Sequence, residues 1–205
     1  DLPVIPADVP THDNTMMSDW AYCRRKYALA HILCVKRREV AFPLSFGALI
    51  HKGLDRYYEI LRDSEQTHGV RDVGSAAEAM LEAMAAVDYI DPTDGHRTKS
   101  RAMRVMAEYA AKYRDDPDFQ EILFTETPFS IEQPDGFRLG GVIDLWGKYH
   151  HKHWPVEHKT TSQFGQYFYD DFKRSPQFLG YTSVGADLHG ETPPGVLINV
   201  IVIRK

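Results

Sequence analysis

Residues 140–161, GGVIDLWGKYHHKHWPVEHKTT, contain two short apolar runs that are separated by a polar, histidine-rich connection. Two such runs predict a β-hairpin. Asp144 lies in the first run, and Glu157 and Lys159 lie in the second. Because strand side chains alternate between faces, Glu157 and Lys159 share one face while His158 points to the other. The hairpin would therefore bring two carboxylates and one amine together at the edge of a sheet.

Two carboxylates beside an amine have a clear chemical use. Hard cations such as Mg²⁺ bind carboxylate and phosphate oxygens, and a bound cation polarises a phosphoryl oxygen and activates water. A nearby ammonium group stabilises the charge that develops in the transition state. The alternative is that Asp144 and Glu157 are exposed strand residues paired with Lys159, and this alternative is favoured for an isolated D…E-x-K pattern.

The composition is that of a globular domain. The chain has 205 residues, of which 43% are hydrophobic and 26% are charged, which suits a single domain over residues 1–205. The formal net charge of −5 argues against indiscriminate coating of nucleic acid. Residues 1–10 lack the basic and apolar regions of a signal peptide, and no apolar run approaches membrane-spanning length, so we expect neither a signal peptide nor a membrane span in these residues. The two cysteines, Cys23 and Cys34, make no disulfide framework, so we expect a reducing, intracellular environment.

Local signals divide the chain into an extended arm, a helical half and a sheet half. Residues 1–17 are proline-rich and polar and predict the arm. The helical half, residues 18–114, contains four predicted helices, at residues 18–33, 46–62, 75–87 and 96–114. The sheet half, residues 115–205, adds to the hairpin the predicted strands 122–131 and 195–203 and a helix at 175–188. This order predicts an α/β fold.

Further residues could contribute ligands, and each has a structural alternative. His51 borders the apolar stripe of its predicted helix, where a histidine is more often a boundary residue than a ligand. Glu126 could point into the same site, but an exposed strand glutamate is the favoured interpretation. Three turn histidines could bind Zn²⁺ or Ni²⁺ adventitiously, although no cysteine lies nearby and a solvated loop is favoured; they are His150, His151 and His153.

Aromatic and basic residues offer a candidate nucleic-acid surface. Tyr167, Phe168 and Tyr169 precede Lys173 and Arg174, an arrangement that suits stacking on a single strand. Packing of these aromatic residues in the core is an equally favoured interpretation. Each basic cluster, taken alone, is more typical of a solvated surface than of a phosphate contact.

Four short motifs follow one another in the order G-x-x-x-H, G-x-x-D, E-x-K and Q-x-x-x-Y. They occupy residues 47–51, 141–144, 157–159 and 177–181. Over about residues 18–203 the chain resembles the PD-(D/E)XK nuclease superfamily, and specifically its RecB-type exonuclease branch, which includes phage exonucleases and CRISPR-adaptation nucleases. The resemblance implies a restriction-endonuclease-like α/β core, with a central mixed β-sheet flanked by helices and an N-terminal helical half.

The resemblance also implies a set of metal ligands and catalytic residues. His51, Asp144, Glu157 and the backbone carbonyl of His158 would bind one or two Mg²⁺ or Mn²⁺ ions. Asp144, Glu157 and Lys159 would be catalytic, with Lys159 assisting the attacking water. Gln177 and Tyr181 would have accessory or DNA-binding roles. The basic clusters, independently of the resemblance, add Arg24, Arg25, Lys173 and Arg174 as candidate DNA contacts.

The implied activity is metal-dependent hydrolysis of DNA phosphodiester bonds by an exonuclease of recombination, repair or phage DNA processing. Single-stranded DNA or DNA ends would be the substrate, a helicase or recombinase a possible partner, and the cytoplasm of a bacterium or phage-infected host the location, with no membrane association. The alternatives are a structure-specific endonuclease, a non-catalytic module that binds DNA ends, and a hydrolase of small phosphorylated substrates.

Two features depart from the family pattern. Ile143 stands where the superfamily's name has proline, as is common in this branch. Some relatives hold an iron–sulfur cluster with four cysteines, but no cysteine follows Cys34, so these residues do not support a complete cluster.

Overall fold

The computed structural model describes residues 11–35, 42–93, 95–114, 116, 118–134, 136–170, 172–173 and 175–204. The described helices are α1 (Asn14–Tyr22), α2 (Arg24–Tyr27), α3 (Phe42–His68), α4 (Val73–Ala86), α5 (Lys99–Lys112), α6 (Gln166–Asp170) and α7 (Pro176–His189). A π-helical turn, Ala28–Ile32, follows α2. The described strands are β1 (Thr11–His12), β2 (Phe119–Glu132), β3 (Arg138–Tyr149), β4 (Lys152–Thr161) and β5 (Leu197–Val202).

The predicted hairpin is present as β3 and β4. These strands are antiparallel, and their connection is the two-residue turn formed by His150 and His151. Both turn residues have left-handed backbone, with φ of 46° and 62°, which matches the twist of a two-residue hairpin. His150 lies beside Asp118, and His151 hydrogen-bonds Gln120, so the turn is tied to the start of β2.

Strand β3 has a gap in its strand pairing on one side, beside residues 140–144, and we call this gap the fork. One edge of β3 pairs antiparallel with β2 along its length. The other edge pairs with β1 only at Arg138 and Leu139, and with β4 only from Leu145 to Tyr149. Among the described residues, no strand pairs with this second edge at 140–144. On the far side, β4 pairs in parallel with β5.

Two apolar clusters cover the two faces of the sheet. The larger one packs α3, α4 and α5 against Leu145, Val156 and Ile201. The smaller one packs Trp146 and Ile143 against residues of α7. The fold is therefore a mixed sheet between helices, which confirms the predicted restriction-endonuclease-like α/β class.

Close packing explains why glycine occurs beside the fork. A Cβ atom at Gly140 would collide with the side chain of Thr11, and one at Gly141 would lie 2.9 Å from the Phe129 ring. Both glycines therefore allow a close approach of neighbouring side chains rather than a bulge. The register shifts of the β2–β3 pair lie instead at Phe119–Phe124.

Several predicted boundaries were wrong because side-chain caps decide where helices begin. The extended arm does not reach residue 17, since residues 11–12 form β1 and α1 begins at Asn14, where the Asp13 carboxylate accepts from the backbone N–H of Met16 at 2.7 Å. Residues 1–10 lie outside the described residues. Similarly, α4 begins at Val73 and not at residue 75, because the Asp72 carboxylate accepts from the backbone N–H of Ser75. No helix in the described segments is both long and apolar enough to cross a bilayer.

Candidate active site

The fork exists at the point where Asp144 and Glu157 would otherwise pair. The two strands separate after the Leu145–Val156 pair. There the Asp144 side chain replaces a backbone carbonyl as the acceptor for β4. Its Oδ2 accepts a hydrogen bond from the backbone N–H of His158 at 2.7 Å. The Asp144 side chain is only 11% exposed. This bond fixes the carboxylate at the open edge of the sheet.

Helix α3 places His51 over the fork. Its Nε2 lies 2.9 Å from the backbone carbonyl oxygen of His158, and its Nδ1 lies 3.6 Å from Asp144 Oδ2. In the neutral imidazole, Nε2 donates to this carbonyl and Nδ1 is left as an acceptor. A nitrogen lone pair and a carboxylate oxygen then face each other, which is an arrangement that a cation would stabilise.

Glu126 joins the same cluster, although the sequence analysis favoured an ordinary exposed residue. Potential ligand atoms of His51, Glu126 and Asp144 all lie within 4.8 Å of one another. Glu126 lies between the pairs Thr125–Leu145 and Thr127–Ile143, and its φ of 42° is left-handed. No local signal in the sequence distinguishes this glutamate from a solvated one.

The electrostatics of this cluster disfavour ionised carboxylates. Burial, followed by the charge of Glu157, raises the pKa of Asp144 to about 6. Although Glu126 as a whole is solvent-exposed, desolvation of its carboxyl group and the charge of Asp144 raise its pKa to about 7. The groups around these two acids therefore supply too little positive charge to offset the effect of burial on their pKa values.

The carboxylate of Glu157 lies among hydrogen-bond donors on the α7 side of the fork. Its side chain is 3% exposed and forms an ion pair with Lys159. Gln177 Nε2 lies 3.1 and 3.2 Å from its two oxygens, and the Tyr181 hydroxyl lies 2.8 Å from Oε2. The same hydroxyl lies 2.7 Å from the Val142 carbonyl, so its single proton serves either acceptor. Burial and the Glu157 charge raise the pKa of Tyr181, which keeps the phenol protonated.

The His158 side chain is buried on the opposite, α3 side. Its ring stacks on Tyr58 with centroids 5.7 Å apart, and its Nδ1 accepts from Asn199 Nδ2 at 2.9 Å. Burial, with the nearby charges of His51 and Lys159, lowers the pKa of His158 to about 3. The imidazole is therefore neutral, with its proton on Nε2, and it anchors the peptide whose N–H and C=O reach Asp144 and His51.

Two clefts meet at Lys159, whose side chain is 32% exposed. The α3-side cleft is lined by Leu44, Gly47, Ala48, His51, Lys52, Asp55, Glu126, His158, Lys159 and Thr160. The α7-side cleft includes Gly141, Lys159, Gln177 and Tyr181. Lys159 is thus accessible from both sides of the fork.

Three of the predicted accessory cations, Arg24, Arg25 and Lys173, do not line these clefts. Arg24 and Arg25 are exposed on α2, where the Arg24 guanidinium lies 5.1 Å from the centre of the Trp20 ring. Lys173 pairs with Asp170 at 2.6 Å. Arg174 lies outside the described residues. Of the aromatic segment, Tyr167 is 90% exposed, whereas Phe168 contacts neighbouring rings.

The donor set fits a hard divalent cation. Carboxylate oxygens, a backbone carbonyl and one imidazole suit Mg²⁺ or Mn²⁺, and no cysteine is among them. A bound cation would offset the burial and the carboxylate repulsion that raise the pKa values of Asp144 and Glu126.

The chain is similar to a known protein family and to a solved structure. No curated protein matches the chain. A crystal structure of protein VC1899 from Vibrio cholerae is similar over 83% of this chain and 49% of that chain, with 11% identity and a TM-score of 0.28. The chain thus spans about half the length of that protein. The family model described as the PD-(D/E)XK nuclease superfamily matches residues 15–202, and the chain belongs to that superfamily.

Proposed function

We propose that this protein is a divalent-metal-dependent deoxyribonuclease that acts as an exonuclease in DNA recombination, repair or phage DNA processing. The observation that carries the proposal is the fork, where His51, Asp144 and the His158 carbonyl lie together beside the Glu157–Lys159 pair. The RecB-like order of the four motifs supports the exonuclease assignment.

In this proposal four groups hold the ion: His51, Asp144, Glu157 and the backbone carbonyl of His158. A bound Mg²⁺ or Mn²⁺ would neutralise phosphate charge and lower the pKa of a water molecule. Asp144 is held for this role by the backbone N–H of His158 at 2.7 Å. His51 comes from the rigid helix α3, so ligand geometry is set by secondary structure rather than by loops.

Lys159 is the proposed water-orienting residue. Its ammonium group has three N–H donors, so the contact with Glu157 leaves donors for a water molecule or a phosphate oxygen. Gln177 and Tyr181 hold Glu157 in place, and the amine is thereby kept at the junction of the two clefts. The role of Gln177 and Tyr181 is accordingly to position Glu157.

Exposed aromatic and basic residues support single-stranded DNA as the substrate. Tyr22 is 89% exposed and Tyr167 is 90% exposed, and such rings stack on bases irrespective of sequence. Arg24 and Arg25 are exposed near Tyr22, and Lys173 follows Tyr167. In the proposal these residues guide a DNA end, supplied by a helicase or recombinase partner, toward the fork.

End-labelled linear DNA and circular DNA, each single- and double-stranded, test the proposal in Mg²⁺, Mn²⁺ or EDTA. We expect linear DNA to release labelled nucleotides with either metal, circular DNA to persist, and EDTA to stop the reaction. Cleavage of circles would make the protein an endonuclease. Stable binding of ends without cleavage would make it a non-catalytic module.

Active-site variants separate the chemistry from a contaminating nuclease. Asp144→Ala, Glu157→Ala and Lys159→Ala should each abolish cleavage. The circular dichroism spectrum of each variant should match that of the folded wild type. Full activity in any of these purified variants would contradict the proposed mechanism.

A further inference from the structure

We propose that Glu126 is an additional ligand of the cation, which it binds together with His51 and Asp144 on the α3 side of the fork. This inference rests on the proposed metal-dependent function and extends it. It assigns a role to a residue that lies on β2, outside the four motifs of the active site.

The register of the sheet places Glu126 directly opposite Asp144. The flanking pairs are Thr125–Leu145 and Thr127–Ile143, so the two acids occupy facing positions of neighbouring antiparallel strands. Facing residues project to the same side of a sheet, and like charges in such positions repel each other. Their carboxylate oxygens and a nitrogen of His51 lie within 4.8 Å of one another. A divalent cation between them would turn this repulsion into attraction.

The backbone of Glu126 is held in an unfavourable conformation. Its φ of 42° lies in the left-handed region, which is costly for a residue with a Cβ atom. The same position in the middle of a paired strand offers glycine a clear advantage. A strained glutamate that faces a second acid and a histidine is the pattern expected when the side chain has a binding role.

Glu126 and Glu157 differ in the hydrogen bonds that their carboxylates accept. Lys159, Gln177 and Tyr181 all donate to the carboxylate of Glu157. Within the described part of the chain, no hydrogen bond or ion pair engages the carboxylate of Glu126. Its oxygens border the α3-side cleft together with His51 and are open to a ligand.

Mn²⁺ titration of the purified full chain without DNA, followed by electron paramagnetic resonance, tests this role. We expect Glu126→Gln to raise the Mn²⁺ dissociation constant at least tenfold, since one of few ligands is lost. Glu121→Gln is the matched control, because it makes the same change at an exposed position of β2, and it should bind within about twofold of the wild type.

Glu126→Gly separates binding from folding. Glycine accepts the left-handed backbone and removes the carboxylate repulsion, so in EDTA the variant should melt about 2–4 °C above the wild type. In saturating Mn²⁺ the wild type should gain more thermal stability than the variant, because only the wild type retains the ligand. A glutamate without a ligand role would give equal stabilisation by Mn²⁺ in the two proteins, whatever the difference in EDTA.

The outcomes distinguish this inference from the function on which it rests. If Glu126→Gln binds Mn²⁺ as tightly as the wild type while Asp144→Asn does not, the ligand role of Glu126 is wrong and the proposed function stands. If the wild type itself does not bind Mn²⁺, both are wrong.

Discussion

The carboxylates on the two sides of the fork have different surroundings. On the α7 side, Glu157 is surrounded by donors from Lys159, Gln177 and Tyr181. On the α3 side, Asp144 receives one backbone N–H, and Glu126 stands opposite it at close range. The protein thus neutralises one carboxylate with its own side chains and leaves the others undercompensated.

This difference suggests a division of labour across β4. The α3 side has the character of a cation site, because burial raises the pKa values of its two acids to about 6 and 7, helped by the charge of Glu157 at Asp144 and by that of Asp144 at Glu126. The α7 side has the character of a preorganised hydrogen-bond network that fixes an ammonium group. Variants that affect only one side should therefore have different signatures.

The largest effects should come from Asp144→Asn and Lys159→Met. Both should lower cleavage by about 10²–10⁴-fold or more, since each removes a group from the proposed chemistry. Asparagine retains an oxygen for the His158 N–H but loses the charge, so Mn²⁺ binding should collapse. Methionine removes the ammonium group on the other side, and Mn²⁺ binding should persist.

Isothermal titration with Mn²⁺ and a steady-state cleavage assay on the same preparations measure this pair. Equal losses of Mn²⁺ affinity in the two variants would contradict the division between the sides.

A second prediction concerns acid stability on the α3 side. The pKa of His158 is about 3 when folded and 6.5 in its ordinary state, so only the unfolded chain binds a proton between these values. The stabilisation is thus complete above pH 6.5 and is lost as the pH falls toward 3. Compared with His158→Phe, the wild type should lose about 2 kcal/mol more unfolding free energy between pH 7.5 and 5.

Urea denaturation in EDTA at both pH values provides the measurement. Asp144 and Glu126 titrate in both proteins, and the difference therefore isolates the imidazole. Parallel pH profiles for the two proteins would show that His158 is not held neutral.

A third prediction concerns the network on the α7 side. Tyr181→Phe removes a hydroxyl that lies within 2.8 Å of Glu157, Gln177 and the Val142 carbonyl. Leaving buried polar groups without this partner should cost about 1–3 kcal/mol of stability. Thermal denaturation should reveal the loss. Glu157 keeps its contacts with Lys159 and Gln177, so Mn²⁺ affinity should fall much less than in Asp144→Asn, and an equal fall would contradict the division between the sides.

The smallest effect should come from Lys52→Ala. Lys52 lies 3.3 Å from Asp55 and is 56% exposed, and its charge opposes a cation in the α3-side cleft. Its removal should tighten Mn²⁺ binding about twofold at low salt, and high salt should erase the gain. Lys173→Ala is the control, because Lys173 forms an equivalent pair with Asp170 on the other side. Equal effects would rule out a local origin.

The sequence predicted the elements that depend on local patterns. The hairpin follows from two apolar runs around a polar turn, and the mixed sheet with its helices follows from the order of the elements. The superfamily was also correctly identified, whereas the RecB-type branch and the residue roles stay predictions. Exonuclease action and DNA preference depend on surfaces that local patterns do not define.

Long-range contacts account for what was missed. Glu126 looks like any solvated strand residue until the β2–β3 register places it opposite Asp144. The first helix begins at Asn14 and not at the predicted residue 18, because Asp13 caps α1. Helix α3 continues to His68 through a polar stretch, since glutamate and glutamine favour helix even without an apolar stripe.

The short strand β1 has a consequence for the handling of this protein. Its two residues cover the start of the β3 edge next to the fork, and Thr11 packs against Gly140 there. An uncovered strand edge is a template on which another molecule can add a strand. Removal of residues 1–12 would expose that template. The shortened protein should then self-associate with a concentration dependence that the longer chain lacks.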